Sequence, residues 1–155
     1  MSLKDQLADD LKAALRAKDE ARLRTIRTLR AALLEKEIAE RQGGVAHLTP
    51  EQELAVVQKQ AKQRRDAIAQ FQAARRDDLV AKEQAELTIL ETYLPQQLDE
   101  AHLRKVLQAL IATTGVTSLK EMGKVMGPAM QQLRGQADGK RIQELVRELL
   151  SMQVE

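Results

Sequence analysis

Cysteine is absent from the 155 residues, and that excludes disulfides, thiolate metal sites and cysteine nucleophiles together. Tryptophan is absent as well, while phenylalanine and tyrosine occur once each. A chain so poor in aromatics lacks a platform for stacking splayed bases, so any nucleic acid it held would be read through backbone and shape. Few aromatics beside many aliphatic residues and 31% charge suit amphipathic helices rather than sheets. No stretch approaches the roughly 20 apolar residues of a membrane span, and the opening MSLKDQLADDL lacks the apolar run of a signal peptide. The expectation is a cytoplasmic all-α protein with no membrane partner. A net charge of only +2 leaves any polyanion partner to be argued from local clusters.

What is present is helical punctuation. Ser2 with Asp5 forms an N-terminal capping pair, and Leu3, Leu7, Leu11 and Leu15 then recur on one face to about Ala17. Asp19 caps a second helix whose buried period is Leu23, Ile26, Leu29, Leu33, Leu34 and Ile38, ended by a loop at Gly43-Gly44. Thr49-Pro50-Glu51-Gln52 opens a long third helix with Leu54, Val57, Ala61, Ile68 and Phe71 as its stripe. A break is expected near Arg75-Arg76-Asp77-Asp78, with Asp77 or Asp78 capping a fourth helix that Pro95 stops. Asp99 caps a fifth that ends at Gly115, Ser118 and Glu121 form a capping box for a sixth, and Asp138 caps a seventh. The predicted architecture is an N-terminal helical domain of about four helices, residues 1–95, followed by a small C-terminal three-helix bundle, residues 96–155.

The inventory for catalysis is thin. Ser2 and Ser118 read as caps, Ser151 lies near the C-terminus, and none sits in a glycine-rich elbow. His47 and His102 read as surface histidines, since no converging ligands accompany either. No phosphate-binding loop or dinucleotide fingerprint occurs. No catalytic residue, metal or cofactor is therefore expected. Glu35, Glu37 and Glu40 read as a solvated, ion-paired face. Basic clusters are more informative: an arginine ladder of Arg22, Arg24, Arg27 and Arg30, the run KQAKQRRD from Lys59, and an excess of cations between Ser118 and Arg147. In the last, Lys140 and Arg141 fall in the first turn of a helix, where the dipole disfavours cations and free backbone N–H groups favour an anion.

The segment EMGKVMGPAMQQLRGQADGKR, from Glu121 to Arg141, carries glycines four apart inside a helical period. Each costs about 0.5–1 kcal/mol relative to alanine, so a face without side chains must serve either tight packing or the close approach of a phosphate chain. Met122, Val125, Met126, Met130 and Leu133 form the opposite, core-facing stripe, and Pro128 predicts a kink or break. YLPQQLDE, followed by EMGKVMGPAMQQLRGQADGKRIQELVRELL, resembles the C-terminal half of the GatB/YqeY family. LRTIRTLRAALLEKEIAE and the run from VVQKQAKQRRD to ETYLP resemble the N-terminal half of its stand-alone YqeY-like members, so the resemblance covers nearly the whole chain.

The resemblance implies a C-terminal bundle similar to the tail of the B subunit of tRNA-dependent amidotransferase. There the tail is a tRNA-binding appendage, and amide transfer takes place in other domains and subunits. Carried to matching positions, the tRNA-facing candidates are Gly123, Lys124, Gly127, Gly139 and Lys140, with Arg134 and Arg141 added on charge alone. Pro128 departs from the small non-proline residue expected at its position. The implied partner is tRNA, contacted along its backbone; the alternative is a protein adaptor that docks on a tRNA synthetase or amidotransferase. The resemblance also carries the label of a carbon-nitrogen ligase using glutamine as amido donor, although no glutaminase nucleophile, ATP site or ammonia channel is visible in these residues.

Overall fold

A computed structural model describes residues 2–41, 44 and 47–152, and within them the regular structure is helical, with no strand. The chain divides into two compact units, Met1–Leu94 and Pro95–Glu155.

The first unit holds α1 (Leu3–Ala17), α2 (Glu20–Ala39), α3 (Pro50–Ala73) and α4 (Asp77–Glu91). Its helix starts follow the local chemistry. Ser2 and Asp5 close a reciprocal capping box on α1, Asp19 accepts from the Arg22 amide at the head of α2, and Thr49 and Gln52 close a second box on α3 with Pro50 in the first turn. α4 differs from expectation. Its N-cap is Arg76, and Asp77 and Asp78 lie inside the first turn, where their charges favour the helix dipole. Arg76 reaches Asp78 with two hydrogen bonds of 3.1 Å, and Arg75 adopts φ 55° to make the reversal from α3. The expected loop at Gly43-Gly44 falls partly outside the described residues; α2 has already ended at Ala39, and Gly44 has φ 106°.

Leu7, Ala14, Leu23, Ile26, Leu29, Leu33, Val57 and Leu90 form one buried cluster of this unit, and Ala61, Ile68 and Leu87 another. Of the expected stripes, Leu3 and Leu11 pack partly buried against this core, Leu54 and Phe71 are partly buried outside the clusters, and Leu15, Leu34 and Ile38 are at least half exposed. Ala14 takes the inward place on α1, because α1 meets α2 along the Leu7–Ala14 side. Charge is also drawn inward. Glu86 is buried, with Arg64 Nε 3.0 Å and Arg24 Nε 3.6 Å away, and Arg64 also lies 3.5 Å from Glu83. Arg64 Nε and Glu83 Oε2 are sealed from solvent without an aligned hydrogen bond, so this cluster is held by charge more than by bond geometry.

The second unit holds α5 (Glu100–Thr114), a single 3₁₀ turn at Leu119–Glu121, α6 (Gly123–Gln132) and α7 (Gly139–Ser151). Asp99 accepts from the His102 amide to cap α5, and that bond holds its carboxyl below the usual aspartate range. Gly115 ends α5 in the left-handed region at φ 70°. The capping box expected from Ser118 and Glu121 does not form: those residues make the 3₁₀ turn, Ser118 gives no side-chain cap, and α6 starts later from Met122. Twelve apolar residues of α5, α6, α7 and the connecting segments form one buried cluster, including Leu107, Ile111, Val125, Leu133, Leu145 and Leu150. No helix of the described residues is long and apolar enough to cross a membrane.

Candidate nucleic-acid interface

α6 is continuous through Pro128, contrary to the expected break. Proline cannot donate to the Lys124 carbonyl, but a helix this close to its N-terminus has few preceding turns for the ring to disturb. Val125 and Ala129 face the core from α6, and Leu133 joins them just beyond it. Met122 and Met126 pack against that core, while Met130, expected beside them, is 44% exposed; the smaller Ala129 fills the buried register instead.

The remaining side of α6 is unusual in what it leaves open. Gly123 and Gly127 are exposed, and a Cβ built on either would meet nothing within 4 Å. Tight packing inside the unit therefore does not account for these two glycines. Lys124 is exposed between them, its Nζ 2.9 Å from Glu121 Oε2, a solvent-screened pair that holds the lysine only weakly. Gly139 is different. It is half-buried at the start of α7, and a Cβ there would lie 3.0 Å from the flexible tip of Met130, so its neighbour is a side chain of α6 rather than open space.

Arg134 follows α6 and Lys140 opens α7; both are exposed, and neither has an ionic partner among the described residues. Asp138 stands at the N-cap of α7, yet its side chain makes no capping bond. Arg141 is engaged otherwise. Its guanidinium bonds Glu100 on α5 and Glu144 on α7, and those carboxylates raise its pKa further. Arg104 extends the same lattice to Glu148 at 3.0 Å. Arg141 thus joins α5 to α7, whereas Lys140 beside it is uncommitted. Lys105, Lys120 and Arg147 are exposed cations of this unit without ionic partners among the described residues. The sum is a unit in which Glu100, Glu144 and Glu148 are answered by Arg104 and Arg141 across α5 and α7, while several other exposed cations have no ionic partner among the described residues.

One contact was not anticipated. Gln97, within YLPQQLDE, donates its side-chain amide to the carbonyls of Pro95 and Gly135, and the Leu98 amide donates to the Gln136 carbonyl at 3.0 Å. Gly135 is buried at φ 78°, a conformation that favours glycine. The two most distinctive sequence stretches therefore meet: the first braces the turn that separates α6 from α7. The glycine in LRGQ was the available signal, but the pairing is non-local and no local period announces it.

The other basic clusters disperse. On α2, Arg24 faces Glu86 while Arg27 and Arg30 are exposed and unpaired among the described residues. On α3, Lys62 pairs with Asp66 at 3.4 Å and Arg64 belongs to the interior cluster. His47 and His102 are both exposed, and no group of three metal-ligating side chains occurs among the described residues.

No curated protein matches the chain. A family model described as Yqey-like protein matches residues 4–150.

Proposed function

Because the chain belongs to the family of Yqey-like proteins, we propose that its second unit is a tRNA-binding module that contacts the phosphate backbone. In this reading residues 96–155 are a small three-helix bundle of the amidotransferase-tail kind, and residues 1–95 are a separate helical domain. The observation that carries it is the open glycine face of α6: Gly123 and Gly127 have no intramolecular neighbour to justify them, and Lys124 stands between them. A surface without side chains lets a phosphate chain come close to backbone amides, and lysines at its edge supply attraction without base specificity. The scarcity of aromatic side chains agrees with backbone contact rather than base stacking.

Within this reading the seven candidates have unequal roles. Arg134 and Lys140 are the uncommitted charges, Lys124 is available on exchanging its exposed Glu121 partner for phosphate, Gly123 and Gly127 give access, and Gly139 and Arg141 border the site, Arg141 through its ion pairs. No amide-transfer chemistry is assigned to these residues. The test is binding of the whole chain to bulk tRNA across a salt series, beside a Lys124→Glu/Lys140→Glu variant. The expected result is salt-sensitive binding whose logarithmic slope falls by about 1 for each lysine replaced. Binding that is unchanged in affinity and slope would remove both lysines from the site, and absence of binding at low salt would reject the tRNA reading.

A further inference from the structure

α2 departs from the one-sided pattern of a surface helix. Leu23, Ile26, Leu29 and Leu33 are buried, yet Leu34 and Ile38, one turn apart on another side, are 52% and 56% exposed. The exposed ridge runs between two grooves. One, of about 230 Å³, includes Lys4, Ala31 and Leu34; the other, of about 410 Å³, is floored by Ala32, Ala39, Ala55 and Val56 between α2 and α3. A ridge beside grooves is the surface that helix-on-helix packing requires.

The charges on α2 say what fits there. Toward its N-terminal half Arg27 and Arg30 are exposed without an ionic partner among the described residues. Toward its C-terminal half Glu37 is answered by Lys4 and Glu40 by Lys36, but the exposed Glu35 has no such partner. Arg27 and Arg30 lie on one side of Ala31 and Glu35 on the other, with Glu20 and Arg41, exposed and likewise unanswered among the described residues, at the two ends, so opposite charges come level when the helix is turned end for end. Arg27 and Glu35 stand equally far in sequence on either side of Ala31, whose small side chain permits a close crossing. An RNA would find Glu35 and two exposed aliphatic side chains a poor match.

We propose that this face is a homodimer interface, in which α2 crosses α2 of a second copy antiparallel at Ala31. Leu34 and Ile38 of each copy lie beside the crossing against the N-terminal half of the other α2, and each Arg27 meets the Glu35 carboxylate of its mate. The contact is isologous and closes on itself, so it stops at two copies.

Sedimentation equilibrium of the full chain over a concentration series tests it. The wild type passes from monomer to dimer. Arg27→Glu sets like charges level and raises the dimer dissociation constant about tenfold or more. The exchange Arg27→Glu/Glu35→Arg returns it to near the wild-type value, which only the antiparallel register explains. Leu34→Glu/Ile38→Glu, at positions already exposed, leaves a monomer of unchanged helicity by circular dichroism. A wild type that stays monomeric throughout overturns the proposal, as does an exchange variant no tighter than Arg27→Glu alone. Loss of tRNA binding in Arg27→Glu without any dimer in the wild type would make the face an RNA surface and likewise overturn it.

Discussion

The two units solve the problem of orienting helices by different means. In the second, α5, α6 and α7 each turn a single apolar side inward, the core is wholly aliphatic, and the ion pairs Arg141–Glu100 and Arg104–Glu148 stay at the rim. In the first, α2 carries apolar residues on more than one side, and the buried Glu86 carboxylate of α4 meets the largely buried Arg64 of α3 and the half-exposed Arg24 of α2. An aliphatic core rewards any arrangement that buries enough area, whereas a buried carboxylate tolerates only registers that supply its cations. A helix with an ambiguous apolar face thus gains an orientation from charge that its hydrophobic pattern does not define.

The largest test of this contrast is Leu145→Ala in α7. The residue is wholly buried, and a cavity there should destabilise the second unit by about 4 kcal/mol. Denaturant titration with amide exchange on α7 would measure it; a loss below about 2 kcal/mol would mean that the core collapses around the gap and is less specific than described. Next in size is Glu86→Ala, which leaves Arg64 with the more distant Glu83 carboxylate and should cost the first unit about 2 kcal/mol. The double change Arg64→Met/Glu86→Leu should cost less, since the closest pair of inward charges leaves together and Glu83 keeps partial access to solvent. If the double change is as costly as the single, packing rather than charge orients these helices.

A smaller effect concerns Tyr93, whose hydroxyl donates to Asp10 between the end of α4's segment and α1. Burial first, and then the Asp10 carboxylate, push its pKa well above the ordinary value of about 10. The folded state therefore keeps the phenol proton at a pH where the unfolded chain has lost it. The resulting stability is complete below about pH 10 and drains away as pH rises above that value. Tyr93→Phe should lower neutral-pH stability by about 1 kcal/mol and remove this alkaline decline. Phenolate absorbance follows it cleanly, because the chain has one tyrosine and no tryptophan. A phenol that titrates near 10 in the folded protein would show that neither the burial of Tyr93 nor its contact with Asp10 is maintained. Smallest is Gly127→Ala on the open side of α6, which should stabilise the second unit by about 0.5–1 kcal/mol while weakening tRNA binding. Stabilisation with unaltered binding would separate the glycine face from the proposed interface.

Helix starts were legible wherever a side chain satisfies its own helix, as with Ser2 and Asp5, Thr49 and Gln52, or Asp99 with the His102 amide. The same grammar misled at Ser118 and Glu121, where the spacing of a capping box is present but a 3₁₀ turn precedes α6. It also misled at Asp77 and Asp78, because an arginine that pairs forward can occupy the N-cap position and leave the acids to the first turn. Of the candidate site, the residues on α6 and α7 were readable one by one. Their division into open, packed and ion-paired members was not, since Met130 over Gly139 and Glu100 on Arg141 are contacts between helices.

By itself the sequence determined that this chain is helical, where most helices begin and end, and which family it belongs to, because propensity, capping and motif spacing are local properties of the chain. Tertiary structure alone decided which apolar residues of α2 stay outside, which glycines face open space, and which arginines are already spoken for. Those outcomes depend on what another helix brings to within a few ångströms, and periodicity along one helix carries no record of its neighbours.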